Sequence, residues 1–104
     1  MKRIIITRHA RTRADERQID KTVFRAASRE ADRTNLQENL ETQHRKFSAM
    51  LNEKTIHARV GRVEYTATNY EIKTRLDVNG VTIAVGIKRE GEGYSPLTVT
   101  TVWH

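Results

Sequence analysis

Along this 104-residue chain the spacing of apolar residues changes once, near residue 56. Before it they recur three and four positions apart, and after it every second position, so helices are expected first and strands afterwards. Residues 2–7, rich in isoleucine, read as a strand closed by Thr7, which can cap a helix from about Arg8 to Gln18. Ala10 and Ala14 are the only apolar residues of that helix, which can therefore bury only a narrow stripe. Asp20 is the next cap candidate, and Val23, Phe24, Ala26, Ala27 and Ala31 give a second helix its packing face. Thr34-Asn35-Leu36-Gln37 has the form of a capping box, in which Gln37 reaches back to the start of a third helix. Leu36, Leu40, Phe47 and Leu51, with Met50 beside them, carry the helical period to about residue 54, and His44 falls at the boundary of that face.

In the second half, Arg59 to Thr68 reads as one strand, and Val60 lies out of phase with Val63 and Tyr65, which predicts a bulge near Gly61. Tyr70, Ile72, Thr74, Leu76 and Val78 alternate with polar residues and are expected on a buried face, Tyr70 included. Asn79-Gly80 is a strong two-residue hairpin signal. It pairs Val78 with Val81, Leu76 with Ile83, Thr74 with Val85 and Ile72 with Ile87. Glu90-Gly91-Glu92-Gly93 reads as a loop, and Pro96 precedes a last strand from Leu97 to Trp103. The expected fold is a single α+β domain over residues 1–104. Strand 2–7 joins a mainly antiparallel sheet of four to five strands drawn from residues 57–103, and helices drawn from about residues 8–54 pack on one face of it.

Charge sharpens this picture. The net charge is +6, and residues 1–33 hold ten Lys/Arg against five Asp/Glu while the remainder is nearly balanced. Thirteen of the nineteen cations are arginine, which suits bidentate phosphate contact and points to an anionic partner, nucleic acid above all. With no cysteine, the chain has neither a disulfide framework nor a thiol nucleophile, which fits a reducing cytoplasm. No apolar run reaches the roughly 18 residues of a membrane span, so no membrane partner is expected. The four histidines have no ligand spacing of a known kind, so neither metal nor cofactor is expected.

The candidate chemistry sits on the first helix, where His9, Arg13 and Arg17 are spaced four apart with Glu16 among them. Arginine holds a phosphate without ever losing its charge, and histidine exchanges a proton near neutral pH. A solvated polar helix would show the same pattern. On the second helix Lys21, Arg25, Arg29 and Arg33 also recur every four residues. Such like charges repel unless anions offset them, with Glu30 and Asp32 as partial relief, so this is either a phosphate-tracking ridge or a solvated face. Lys88 and Arg89 extend the candidate nucleic-acid contacts, and Tyr94, in its loop, is a candidate for base stacking.

The opening, a strand and then His9-Ala10-x-x-Arg13-x-x-Glu16-Arg17-x-Ile19, resembles a family of small bacterial and phage domains grouped with the barnase, EndoU, colicin and RelE-like toxin ribonucleases. Val99-Thr100-Thr101-Val102-Trp103 is similar to the last strand of that family. The resemblance covers residues 2–27 well and the hairpin and final strand in outline. Two departures are a helix at about 34–54 and Gln18, where the family often has glycine. It implies a toxin-like endoribonuclease that cleaves RNA without a metal, with an antitoxin or immunity protein as a further partner, and it places function at His9, Arg13, Arg17 and Thr101. Cleavage of this kind needs a base for the 2′-hydroxyl, an acid for the leaving oxygen and cations for the charge on phosphorus. His9 can take one proton role, and His57, His104 and Glu16 are candidates for the other. A non-enzymatic nucleic-acid-binding or protein-interaction module is the alternative.

Overall fold

In a computed structural model, residues 4–48, 50 and 55–104 are described. The first strand, β1, is Ile5–Ile6, followed by the helices α1 (Arg8–Glu16), α2 (Thr22–Arg33) and α3 (Leu36–Ser48). The strands β2 (Ile56–Val60), β3 (Val63–Ala67), β4 (Glu71–Val78), β5 (Val81–Glu90), β6 (Gly93–Tyr94) and β7 (Thr98–Trp103) come after them. Among the described residues the seven strands form one sheet in the order β1-β7-β5-β4-β3-β2, with β6 paired to β5. Only β1 and β7 run parallel. The fold is thus α+β, with more strands than the four to five expected. Lys2, Arg3, Leu51 and the expected end of the third helix lie outside the described residues.

The β4–β5 hairpin has the register that its alternation implies, Val78 opposite Val81 through Ile72 opposite Ile87. Asn79 and Gly80 both adopt positive φ, 52° and 77°, as a two-residue turn of this hand requires. Ile72, Thr74, Val78, Val81, Ile83, Val85 and Ile87 are buried on one face, where all three helices bring their apolar stripes into the same core. Lys73, Arg75, Asp77, Thr82 and Ala84 alternate with them and occupy the opposite face, which no helix covers among the described residues. Gly86 also lies on that face, where an added Cβ would come 2.7 Å from the Ile72 carbonyl oxygen and 2.9 Å from Lys73 Cγ.

Helix ends follow from short-range chemistry. Thr7 caps α1 as expected, its hydroxyl oxygen accepting from the Ala10 N–H at 3.0 Å. At the other end Ile19 N–H reaches Ala14 O at 2.8 Å and Gln18 N–H reaches Asp15 O at 3.2 Å, a Schellman closure with Gln18 at φ 54°. An Asp20 carboxylate oxygen accepts from the Thr22 N–H at 2.8 Å, and that backbone bond holds its carboxyl below the usual range. The capping box at Thr34 does not form. Thr34 instead ends α2, its hydroxyl donating to Glu30 O, and Asn35 turns the chain at φ 50°. Gln37 points inward, donating to Glu41 and to Ser95 O.

Four other expectations are corrected. The bulge near Gly61 is a tight turn, with Gly61 at φ 64°, that splits the expected strand into β2 and β3 and pairs Val60 with Val63. A short break in alternation looks the same for a bulge and for a hairpin. Tyr70 precedes β4 and is 76% exposed, and Met50 is 61% exposed, so neither joins the core. His44 goes the other way, being fully buried with both ring nitrogens used. Nε2 lies 2.8 Å from Thr68 O, which can only accept, so Nε2 carries the proton and the Tyr94 hydroxyl donates to Nδ1 at 2.7 Å. Burial raises the phenol of Tyr65, which packs edge-on against Phe47.

Two substitutions test this account by urea unfolding. Gly86→Ala must push β4 aside and is expected to lower stability by about 1–3 kcal/mol. Gln18→Gly removes the Cβ penalty of the left-handed turn and is expected to raise stability by about 0.5–1 kcal/mol, the gain moderated by glycine's freedom in the unfolded chain.

Candidate nucleic-acid interface

Ala10 and Ala14, both fully buried, seat α1 in the core beside β7 and leave its polar residues at the surface. His9 is exposed, and Arg13 Nε lies 3.5 Å from its Nε2. In that contact the guanidinium is the donor. Arg13 Nη1 is held by a Glu16 carboxylate oxygen at 2.9 Å. The structure therefore brings His9, Arg13 and Glu16 together as one chain of contacts on the outer side of α1.

Arg17 does not join them. Its Nη1 donates to the Val102 carbonyl oxygen of β7, on the part of that strand which the two residues of β1 leave without a neighbour. His104 Nε2 donates to the Arg17 carbonyl oxygen at 2.9 Å, tying the end of β7 to the end of α1. Arg17 thus makes a structural contact at the end of β7 that its four-residue spacing did not indicate. Thr101 lies opposite Ala84 on the helix-free face of the sheet, and no described hydrogen bond joins it to His9, Arg13 or Arg17.

On α2, Lys21, Arg25, Arg29 and Arg33 are all exposed, and relief of their repulsion comes from Asp15 and Glu30 instead of Asp32. The Arg33 side chain, by its hydrogen bond, holds the Glu30 carboxyl below the usual range and is itself raised. Arg25 and Arg29 have no acidic partner among the described residues. Lys88 and Arg89 are exposed at the end of β5, opposite Glu71 and Tyr94 respectively. Tyr94 is in β6, with its hydroxyl on His44 and Arg45 over its ring at 5.3 Å. Its place in β6 corrects the expectation of a loop, and the residue is half-buried.

The helix-free face forms an open groove of about 900 Å³. Its walls carry the cations Arg59, Arg62, Lys73 and Arg75, the acids Glu64 and Asp77, and His57 and Trp103. Arg59 pairs with Glu64 at 2.6 Å, Lys73 with Glu71 at 3.5 Å, and Asp77 accepts from the Thr82 hydroxyl at 2.8 Å. Arg62 and Arg75 have no acidic partner among the described residues, and Arg75 lies over the Trp103 ring at 5.4 Å. His57 Nδ1 is 3.3 Å from the Thr66 hydroxyl. Reading positions one at a time misses the clustering of these cations. Once the hairpin register is known, the alternation of Lys73 and Arg75 with buried residues predicts it.

Among the described residues no three His, Asp or Glu side chains gather where they could hold a metal ion, and no helix is long and apolar enough to cross a membrane. Comparison with protein-family models, with curated proteins and with solved structures finds no match.

The two arginines of α1 should separate in a stability measurement. Arg17→Ala strips a carbonyl of β7 of its donor and is expected to lower stability by about 1 kcal/mol. Arg13→Ala removes an exposed pair and should change it by less than about 0.5 kcal/mol. Equal effects in urea unfolding would contradict this division of labour.

Proposed function

We propose that the protein is a toxin-like endoribonuclease of the cytoplasm that cleaves RNA without a metal, with α1 as its reactive element. The observation that carries the reading is the exposed His9 imidazole with the Arg13 guanidinium 3.5 Å away, both in reach of a bound strand. In this reading His9 takes the proton of the 2′-hydroxyl at a ring nitrogen. The 2′-oxygen then attacks phosphorus and the 5′-oxygen leaves, taking a proton from a second group. Arg13, held by Glu16, offsets the charge that builds on the phosphoryl oxygens. The resemblance of the opening to toxin ribonucleases and the cationic bias of the first third of the chain support the same reading. An antitoxin or immunity protein would silence such an enzyme by covering α1.

A second reading, a nucleic-acid-binding module without cleavage, is favoured by one observation. His104, the histidine held to α1, has its Nε2 committed to the Arg17 carbonyl, and no described hydrogen bond brings another imidazole to His9.

Incubation with total RNA in excess chelator decides between them. Cleavage by the unaltered protein, falling about 100-fold or more in His9→Ala and in Arg13→Ala with circular dichroism unchanged, is the expected result. RNA that is retained but stays intact, with retention falling steeply as salt rises, would leave binding alone.

A further inference from the structure

We propose that the groove on the helix-free face of the sheet is a binding site for single-stranded nucleic acid, in which Trp103 stacks on a base and Arg62, Lys73 and Arg75 hold the phosphates beside it. The inference deepens the proposed function and rests on it for the class of ligand, not for cleavage.

Charge complementarity indicates the occupant. The walls carry four cations against two carboxylates; Arg59 is paired with Glu64 and Lys73 with the neighbouring Glu71, and Asp77 accepts from the Thr82 hydroxyl. The guanidiniums of Arg62 and Arg75, which no described carboxylate neutralises, supply the cationic field of the groove, and Lys73 adds to it from the middle of β4. A soluble protein gains nothing from gathering such charges on one open face unless anions meet them.

An aromatic ring among the cations narrows the class. Trp103 is half-buried on the wall, with Arg75 over its ring at 5.4 Å. A flat π-surface next to a guanidinium suits an unpaired base followed by its phosphate, since stacking is tolerant of base identity and the cation tracks the backbone. Duplex nucleic acid keeps its base faces hidden and would use the charges but leave the ring idle. An acidic peptide would likewise leave it idle.

The alternation that builds the core also builds this site. Lys73 and Arg75 are separated from the buried Ile72 and Thr74 by one position each, and Trp103 lies opposite Thr82 on the same face. Arg62 comes from the tight β2–β3 turn, at the rim.

Trp103 is the only tryptophan of the chain and reports on its own site. Titrating the full protein with a twelve-residue oligouridine is expected to quench its fluorescence, whereas duplex RNA and polyglutamate bind more weakly and leave it unchanged. In anisotropy measurements with labelled oligouridine, Trp103→Leu should weaken binding about 5- to 150-fold and Trp103→Phe much less. Arg62→Gln, in an exposed turn, should reduce the salt slope by about 0.7. If oligouridine binds with Trp103 fluorescence unchanged, or if polyglutamate quenches it equally, the groove proposal is overturned. RNA cut with Trp103 unmoved would remove the groove and keep the ribonuclease, while quenching with RNA uncut would keep the groove and remove the ribonuclease.

Discussion

The register of the β4–β5 hairpin is the constraint on which the rest of the molecule depends. A two-residue turn at Asn79-Gly80 sets Val78 against Val81, and strict alternation then assigns every later residue of both strands to a face. A slip of one position would carry Lys73 and Arg75 into the core and turn the buried isoleucines outward, and an unpaired buried cation alone costs several kcal/mol. The apolar floor on which the helices rest and the cationic face behind it are therefore one structural decision. Gly86 sharpens it further, because β4 comes so close at that point that a side chain would collide with its backbone.

The first helix shows how coarse a shared face can be. Residues four apart on a helix advance about 40° around its axis, so from His9 to Arg17 the direction has turned by about 80°. Two such steps carry the guanidinium of Arg17 from the outer side, where Arg13 and Glu16 meet His9, to a carbonyl on the edge of β7. The same residue type, at the same spacing, serves a candidate site at one position and closes a sheet edge at the next. A full-length β1 would have met that edge with its own backbone, and Arg17 does so in its place.

Much of this architecture could be read from the chain. The order of helices and strands, the cap at Thr7, the hairpin register and the buried stripe of α2 all rest on local periodicity, and the structure shows each of them. What could not be read depends on contacts between distant residues. Gln37 abandons its capping box because Ser95, 58 positions away, offers a buried carbonyl. His44 becomes interior because Tyr94 and Thr68 satisfy both of its nitrogens, and the same contact holds the hydroxyl of the half-buried Tyr94. Of the candidate site, the His9–Arg13–Glu16 group was visible as a four- and three-residue spacing. The clustering of Arg59, Arg62, Lys73 and Arg75 became visible only with cross-strand pairing, since the residues come from two strands and a turn.

The parallel pairing of β1 with β7 has a consequence for the birth of the protein. Ile5 and Ile6 find their partners at Thr98 and Val99, and α1 rests against the strand those partners begin. On a ribosome, therefore, the helix bearing His9 emerges well before residues 97–103 and has no berth on β7 until they follow it out of the exit tunnel. Docking of α1 therefore waits until every intervening element has been synthesised and the strand that receives it is free to fold.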